Sequence, residues 1–222
     1  MPHQGDRRTR RSTEEVRQII LAAAQDMFAE GGYAGTSTRA IARRCRVAEH
    51  LIFRHFGSKA GLFDAAIRVP FEEFLAGFAL AWEQGSRTAE DVDQRSGLYV
   101  TGLYEHLMAN RKLLLALIRA AQEDGAEVAA LMSGASSPLR RYFDRVEYLA
   151  GTSMDEVGWS GVDVPVVVRA TFAMVLGMAM ADEWLFPPDE EHPRTERIVA
   201  EMHQFMVHRL AHRNPPPPGP RP

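Results

Sequence analysis

The side chains of this sequence that are best suited to chemistry are cations clustered in one short segment. Residues 38–59 contain five arginines and one lysine, at Arg39, Arg43, Arg44, Arg46, Arg54 and Lys59. Guanidinium and ammonium groups bind phosphate oxygens through charge-assisted hydrogen bonds, and arginine also contacts the base edges of nucleic acids. The chemistry available to this segment is therefore the binding of a polyanion.

The charge of the whole chain supports a polyanionic partner for the N-terminal part only. The formal net charge is −3, yet residues 1–60 carry 11 Lys and Arg against 6 Asp and Glu, whereas residues 61–222 carry 15 against 23. A basic segment on an acidic body directs a polyanion to one end of the molecule. The same imbalance also fits a solvated charged face, so charge alone leaves both interpretations open.

Two short predicted helices would position these cations. Residues 36–38 cap a helix whose Ile41 points inward, a turn follows at Arg46, and residues 49–56 form a second helix with Ile52 on its inner side. These are the dimensions of a helix-turn-helix, in which the second helix enters the major groove of DNA. Ordinary helical hairpins share the same dimensions and are the alternative.

The rest of the sequence predicts an all-α fold. Ser12 and Glu15 form a capping-box pattern for a first helix that ends at Gly31-Gly32, and Ser58 caps a longer helix that Pro70 should bend or split. No segment shows a clean period-two alternation between hairpin turns, although the valine-rich residues 164–168 are strand-like. Further helices are predicted at 89–108, 110–123, 126–133, 137–150, 164–186 and 194–212, with a loop at 151–163.

One extended motif carries a specific resemblance. Residues 32–44 read G-Y-A-G-T-S-T-R-A-I-A-R-R and residues 47–63 read V-A-E-H-L-I-F-R-H-F-G-S-K-A-G-L-F. Over about residues 14–63 the chain closely resembles the N-terminal signature of the tetracycline-repressor (TetR) family. The C-terminal part resembles that family only in length and helicity.

Composition at the two ends and the resemblance between them together imply four regions, and the resemblance implies a function. The regions are a flexible basic arm at 1–11, a helix-turn-helix DNA-binding domain at 12–60, a ligand-sensing and dimerisation domain at 61–213, and a disordered proline-rich tail at 214–222. The implied function is that of a homodimeric transcriptional repressor. A small hydrophobic or amphipathic effector would release it from a palindromic operator in double-stranded DNA.

The resemblance also assigns DNA contacts. Residues 49–55 would form the recognition helix, Thr38 would bond phosphate, and Lys59 would anchor phosphate at the positive end of the fourth helix. Glu49 would accept a hydrogen bond from cytosine or favour the helix start, because a carboxylate repels phosphate. The complete set is Thr38, Arg39, Arg46, Glu49, His50, Leu51, Phe53, Arg54, His55 and Lys59.

Four positions depart from the family pattern. Arg46 replaces the usual turn glycine, so either a left-handed backbone there is strained or the turn is of another type. Ala48 replaces the usual capping Ser or Thr, and His50 stands where a small residue is common. Phe53 replaces a tyrosine that contacts the DNA backbone, and both core packing and DNA contact remain open for it. The departures affect the base contacts and leave the expected fold unchanged.

The last two predicted helices indicate a dimer surface. Small residues form a seam on the penultimate helix at Ala170, Ala173, Gly177 and Ala181, and the last helix supplies Ile198, Met202 and Phe205. In the TetR family these two helices usually pair with their two-fold mates, whereas an intramolecular core is the alternative. A dimer would hold two recognition helices about 34–36 Å apart, or a multiple of that distance, on a palindromic site.

Aromatic residues and methionines in the same domain indicate an adaptable apolar cavity. Tyr99, His106, Arg119 and Gln122 are its candidate polar groups. For each residue, ordinary core or surface placement is the simpler alternative. The candidate lining is Trp82, Tyr99, Leu103, His106, Arg119, Gln122, Phe172 and Met178.

Secretion and membrane insertion have little support in the sequence. Cys45 is the single cysteine, which excludes an intrachain disulfide and a cysteine-cluster metal site and fits a reducing compartment. The arginine pairs at 7–8 and 10–11 precede polar residues, unlike a twin-arginine signal. No uncharged apolar run approaches the ~18 residues of a membrane span. We therefore expect a cytoplasmic protein.

An enzyme is not predicted, and no cofactor is implied. The residues Gly158-Trp159-Ser160-Gly161 lack the glycine spacing of a nucleophile elbow. His208 and His212 lie one helical turn apart, with His203 nearby, but surface histidines are a simpler interpretation than a metal site. The remaining rival is a DNA architectural or adaptor protein, which would need no cavity and little sequence preference.

Overall fold

The computed structural model describes residues 12–83, 89–123, 128, 137–156, 161–187, 189 and 191–213. These residues form helices joined by turns, with no strand among them, which confirms the predicted all-α fold. The helices are α1 (Thr13–Gly35), α2 (Thr38–Cys45), α3 (His50–Phe56), α4 (Lys59–Glu83), α5 (Ala89–Ala109), α6 (Arg111–Glu123), α7 (Pro138–Glu156), α8 (Val164–Met180), α9 (Asp182–Leu185) and α10 (Thr195–Arg213).

The first three helices and the first half of α4 surround one apolar core. Its centre is fully buried and consists of Ile20, Phe28, Ile41, Ile52 and Phe63. The rings of Phe28 and Phe63 meet edge to face with centroids 4.8 Å apart. This core holds the short helices α2 and α3 rigidly, although neither is long enough to be stable alone.

Serine side chains begin three of these helices, as their positions in the sequence predict. The capping box of Ser12 and Glu15 forms in both directions at the start of α1. Ser37 Oγ accepts from the Ala40 N–H at 3.1 Å, and Ser58 Oγ accepts from the Gly61 N–H at 2.9 Å. Each bond satisfies a backbone donor that a helix start would otherwise leave free.

The second core lies among α5, α7, α8, α10 and the second half of α4. Val100, Leu103, Leu107 and Val175 are fully buried at its centre. Helix α6 joins this body to the N-terminal helices, because Leu113 and Leu117 belong to the core that surrounds α1. A hydrogen bond of 3.1 Å from Gln25 Nε2 to the Ala66 carbonyl also ties α1 to α4.

Several element boundaries differ from those that local sequence predicts. Helix α1 kinks at Gly32, where φ is 70°, and continues to Gly35. Helix α4 continues through Pro70, since phenylalanines on the next three turns pack into the second core. Residues 151–156 extend α7 because Ser153 and Met154 are buried.

The strand-like residues 164–168 are helical. Asp163 caps α8 by accepting from the Val166 N–H at 3.2 Å, and Pro165 occupies the first turn. The predicted helix at 126–133 lies outside the described residues except for Val128, as do the N-terminal arm and the C-terminal tail.

Candidate DNA-binding site

The turn between α2 and α3 is built on a left-handed residue. Arg46 has φ 55° and ψ 45°, and its N–H bonds to the Ala42 and Arg43 carbonyls. The Val47 N–H also bonds to the Ala42 carbonyl, at 3.0 Å. The turn therefore has the tight geometry that usually needs glycine, with an exposed guanidinium in its place.

The start of α3 has no side-chain cap of its own. The residue before the helix, Glu49, has helical φ/ψ angles and makes no capping bond. Its carboxylate instead accepts a hydrogen bond of 2.7 Å from the hydroxyl of Thr38. This bond ties the start of α2 to the start of α3 and uses the one proton of the Thr38 hydroxyl. The hydroxyl would therefore have to release Glu49 before it could donate to a phosphate.

One face of α3 is presented to solvent. His50 and Arg54 are exposed and the Phe53 side chain is 45% exposed, whereas Ile52 is fully buried. Leu51 is half-buried against the core, and the half-buried His55 ring lies 6.2 Å from that of Phe56. Phe53 is therefore available for a partner, and Ile52 supports the helix from below.

The start of α4 brings a cation and an aromatic ring together. Lys59 Nζ lies 4.3 Å from the centroid of the Tyr33 ring, in a geometry suited to cation–π attraction. Tyr33 was not among the predicted site residues. The sequence shows that Tyr33 directly follows the glycine pair at the end of the predicted first helix. It does not show that α1 places the Tyr33 ring next to the start of α4.

Gly61 is a second position that sequence reasoning missed. A Cβ atom added there would lie 2.1 Å from the Phe56 carbonyl oxygen. Only glycine lets the first turn of α4 approach the end of α3 this closely. The residue thus permits the close packing of α4 against the end of α3.

The N-terminal segment matches a known family. Residues 20–66, which run from α1 into α4, match the family described as "Bacterial regulatory proteins, tetR family". The N-terminal domain belongs to the TetR family. The predicted family resemblance is therefore confirmed.

The relatives that match the TetR-family domain are transcriptional regulators. This agrees with the prediction of a regulator and not of an enzyme. The HTH-type transcriptional repressor Rv3405c of Mycobacterium tuberculosis is 54% identical over 54 residues, which are 24% of this chain and 29% of that protein. The HTH-type transcriptional activator FasR of Mycolicibacterium smegmatis is 29% identical over 107 residues, 48% of this chain and 47% of that protein. The chain thus spans less than a third of the first relative and about half of the second.

The fold of the whole chain also has solved counterparts. The transcriptional regulator FadR from Bacillus subtilis, in complex with stearoyl-CoA, superposes with a TM-score of 0.68. The alignment covers 86% of this chain and 97% of FadR at 14% sequence identity. This likeness establishes a shared fold that extends beyond the TetR-family domain.

Two apolar cavities lie in the C-terminal body. The first cavity, of about 110 Å³, has Asp64 and Ser137 beside apolar side chains, namely Ile67, Phe71, Leu114, Leu117, Ile118, Leu139, Phe172 and Leu176. The second cavity, of about 50 Å³, is lined by Phe78, Trp82, Val92, Ser96, Tyr99, Val146, Leu149, Ala150, Met154, Val167, Val168, Thr171 and Met206. Of the predicted lining residues, Phe172 lies at the first cavity and Trp82 and Tyr99 lie at the second.

The other predicted lining residues are placed differently. Leu103 is buried in the second core, and Met178 packs against that core. Arg119 and Gln122 are exposed on α6 and line neither cavity, because α6 turns its apolar face toward α1. Their assignment to a pocket is corrected accordingly.

His106 lies between two aromatic rings and lines neither cavity. Its ring stacks on Phe74 at 5.0 Å and meets Phe71 edge to face at 4.6 Å. His106 Nε2 is buried without a hydrogen-bond partner among the described residues, and burial lowers the pKa of the imidazole. The neutral form is therefore favoured at this position.

The predicted dimer residues divide into two groups. Ala170, Ala173 and Gly177 are exposed on α8, Ala181 is half-buried, and Phe205 on α10 is 75% exposed. Ile198 and Met202 are each 5% exposed within the second core. These two residues face the interior of their own chain, so their assignment to an intermolecular surface is corrected.

Helices α8 and α9 together form one long apolar segment. The segment Val164–Leu185 is long and apolar enough to cross a membrane, with a mean hydropathy of 1.8, and 28% of the tested window is buried inside the chain. A large part of this apolar segment is thus left uncovered by the chain itself.

The described residues contain no group of three His, Cys, Asp or Glu side chains placed to hold a metal ion. His203 Nε2 lies 3.0 Å from the Asp93 carbonyl oxygen and 3.2 Å from Ser96 Oγ. The side chains of His208 and His212, and the segment from Gly158 to Ser160, lie outside the described residues.

Proposed function

We propose that this protein is a homodimeric, cytoplasmic TetR-family repressor that releases a palindromic operator when an apolar effector binds its C-terminal domain. The observation that carries the proposal is the exposed face of α3, which presents His50, Phe53 and Arg54 above a buried support. In a helix-turn-helix such a face enters the major groove. The proposed DNA-binding domain spans residues 12–60 and the sensing and dimerisation domain residues 61–213.

A stripe on α8 supports the proposed dimer. Val166, Ala170, Ala173 and Gly177 are exposed and recur at intervals of four, three and four residues, which places them on one side of the helix. The neighbouring helix α10 adds the exposed ring of Phe205. Exposed apolar groups of this kind are typical of an interface, and a second copy related by a two-fold axis would cover them with the same groups.

The lining of the first cavity supports an effector with an apolar chain. Its lining is apolar apart from Asp64 and Ser137. FadR from Bacillus subtilis, which shares this fold, was solved in complex with stearoyl-CoA. We therefore propose an acyl chain or a molecule of similar shape as the effector class.

The position of the first cavity supports coupling between effector and DNA. Asp64, Ile67 and Phe71 of α4 form one wall, and Leu114 and Leu117 of α6 form another. Helix α4 follows the recognition helix directly, and α6 packs against α1. A molecule that separates α4 from α6 would therefore move the two reading heads of the dimer, with a coupling free energy of roughly 1–3 kcal/mol.

Selection and sequencing of genomic fragments bound by the protein test this function. We expect one enriched palindromic sequence, and we expect stearoyl-CoA to weaken binding to it by roughly 5- to 150-fold, the range for a typical coupling. The His50→Ala variant should select a different sequence, because His50 is exposed on the recognition helix. Equal binding to random DNA would instead favour the architectural alternative, and an unchanged selected sequence would remove His50 from base recognition.

A further inference from the structure

The two cavities follow one another along the same three helices. On α4 the first cavity contacts residues up to Phe71, and the second begins at Phe78. On α7 the corresponding residues are Leu139 and Val146, and on α8, which contributes in the reverse order, the first cavity ends at Phe172 and the second begins at Thr171. The cavities therefore share one axis and are separated at one level of the helical body.

Two buried tyrosines lie at the separating level. The centroid of the Tyr142 ring lies 6.1 Å from that of Phe71 and 5.3 Å from that of Phe172. Both phenylalanines line the first cavity. Tyr99 lines the second cavity and packs on Phe78 at 5.0 Å. The hydroxyl groups of Tyr99 and Tyr142 share a hydrogen bond, so the pair connects the wall of one cavity to the wall of the other.

Both tyrosines are neutral and enclosed. Tyr99 is 5% exposed and Tyr142 is 2% exposed. A phenol is uncharged near neutral pH, and burial raises the pKa of both tyrosines further above that range. A buried hydroxyl without a partner is unfavourable, which keeps the two hydroxyl groups together as long as nothing enters between them.

We propose that Tyr99 and Tyr142 form a gate that determines the chain length of the effector: a short apolar chain occupies the first cavity alone, and a longer chain must separate the two tyrosines to reach the second. This inference rests on the proposed acyl-chain effector and adds the residues that select among such molecules. The selection arises because a long chain gains apolar contacts in the second cavity but breaks the hydrogen bond between the hydroxyl groups.

The two cavities are small compared with typical ligand sites. The cavities measure about 110 Å³ and about 50 Å³, and each is smaller than a typical small-molecule site of roughly 300–1,000 Å³. Asp64 and Trp82, at the two ends of the α4 lining, are separated by about 27 Å of helix at 1.5 Å per residue. An extended chain that passed the gate would follow this length.

The gate is tested by calorimetric titration with octanoate and hexadecanoate. In the double variant Tyr99→Phe/Tyr142→Phe no hydroxyl bond remains to be broken, so the ratio of the octanoate Kd to the hexadecanoate Kd should rise about tenfold over the wild-type ratio. Tyr148→Phe is the matched control, because Tyr148 lies on α7 like Tyr142 but is 64% exposed. The control should keep the wild-type ratio.

Tryptophan fluorescence provides a second test, which reports whether the acyl chain reaches the second cavity while both tyrosines are retained. With Trp159 and Trp184 replaced by phenylalanine, Trp82 of the second cavity is the only tryptophan left. Hexadecanoate should then change the Trp82 emission, whereas octanoate should leave it unchanged.

The outcomes separate the gate from the function on which it rests. The gate is overturned if both probes bind with the same Kd ratio in the double variant and in the wild type. It is also overturned if hexadecanoate binds without changing the Trp82 emission. In both cases the proposed acyl-chain effector is unaffected. Failure of both probes to bind the wild type overturns the acyl-chain effector itself and the gate with it.

Discussion

Arg46 adopts a backbone conformation that favours glycine. Its φ of 55° places the Cβ atom close to the backbone, and the chain accepts this cost at the turn that orients the recognition helix. Its exposed guanidinium is a cation beside the proposed DNA-binding helix. Arg46 therefore lowers the stability of the folded protein and adds a positive charge next to α3.

Replacing Arg46 separates these two effects. Arg46→Gly should stabilise the protein by about 1 kcal/mol, because glycine adopts the left-handed conformation without the steric cost. Arg46→Ala keeps the Cβ atom and should give no such gain. Both variants should bind DNA more weakly, since both lose the cation. Urea denaturation measures the first effect, and equal unfolding free energies for the two variants would contradict the assignment of strain.

Lys59, at the start of α4, is proposed to contact the phosphate backbone of DNA. Lys59→Ala should weaken binding to all DNA sequences alike and flatten the slope of log K against log salt concentration by about one unit, because one fewer counterion is released. Lys112→Ala is the control, since Lys112 is exposed on α6. A salt titration in which both variants keep the wild-type slope would place Lys59 outside the interface.

The junction of α3 and α4 determines how the recognition helix is presented. Gly57 ends α3 with φ 78°, Ser58 caps α4, and Gly61 packs directly on the last carbonyl of α3. The first turn of α4 therefore approaches the backbone at the end of α3 directly, beside the Ser58 side chain. At the scale of elements, small residues hold the proposed reading head at a set angle.

Gly61→Ala should destabilise the protein by about 2 kcal/mol, because the new Cβ atom would overlap the Phe56 carbonyl and force the helices apart. Gly77→Ala is the matched control on the same helix, since nothing lies within 4 Å of its added Cβ atom. The control should gain about 1 kcal/mol from helix propensity. Thermal unfolding that shifts both variants in the same direction would refute the proposed close approach.

Helices α1, α4 and α6 connect the N-terminal helices with the C-terminal body. The first cavity lies between α4 and α6, the proposed dimer surface lies on α8, and Phe172 of α8 lines the same cavity. In the proposed dimer an effector would thus contact the helix that follows α3 and the helix of the proposed dimer surface at once. In the proposed function these contacts would couple effector binding to DNA binding.

Ala173→Glu should convert the proposed dimer to a monomer at micromolar concentration, because a carboxylate would be buried where a second copy of α8 packs. Ala76→Glu is the control, since Ala76 is exposed on α4 away from this stripe. Sedimentation equilibrium measures the mass of each variant. A wild-type protein that sediments as a monomer would remove the dimer from the proposed function.

The sequence alone determined the helical fold and the TetR-family domain. The helical fold depends on short-range signals, since caps, turns and apolar spacing lie within a few residues of the groups they position. The TetR-family domain was identified by the resemblance of its motif at residues 32–63. The exposed faces of His50 and Arg54 and the buried face of Ile52 follow directly from that periodicity.

Only the tertiary structure decided which side of each later helix is covered. Ile198 and Met202 turned inward and Arg119 turned outward because a helix buries whichever face its neighbours meet, and those neighbours are distant in sequence. The pairing of Tyr99 with Tyr142 joins residues 43 positions apart. No local pattern encodes such a contact, because it exists only once the helices between the two tyrosines have packed.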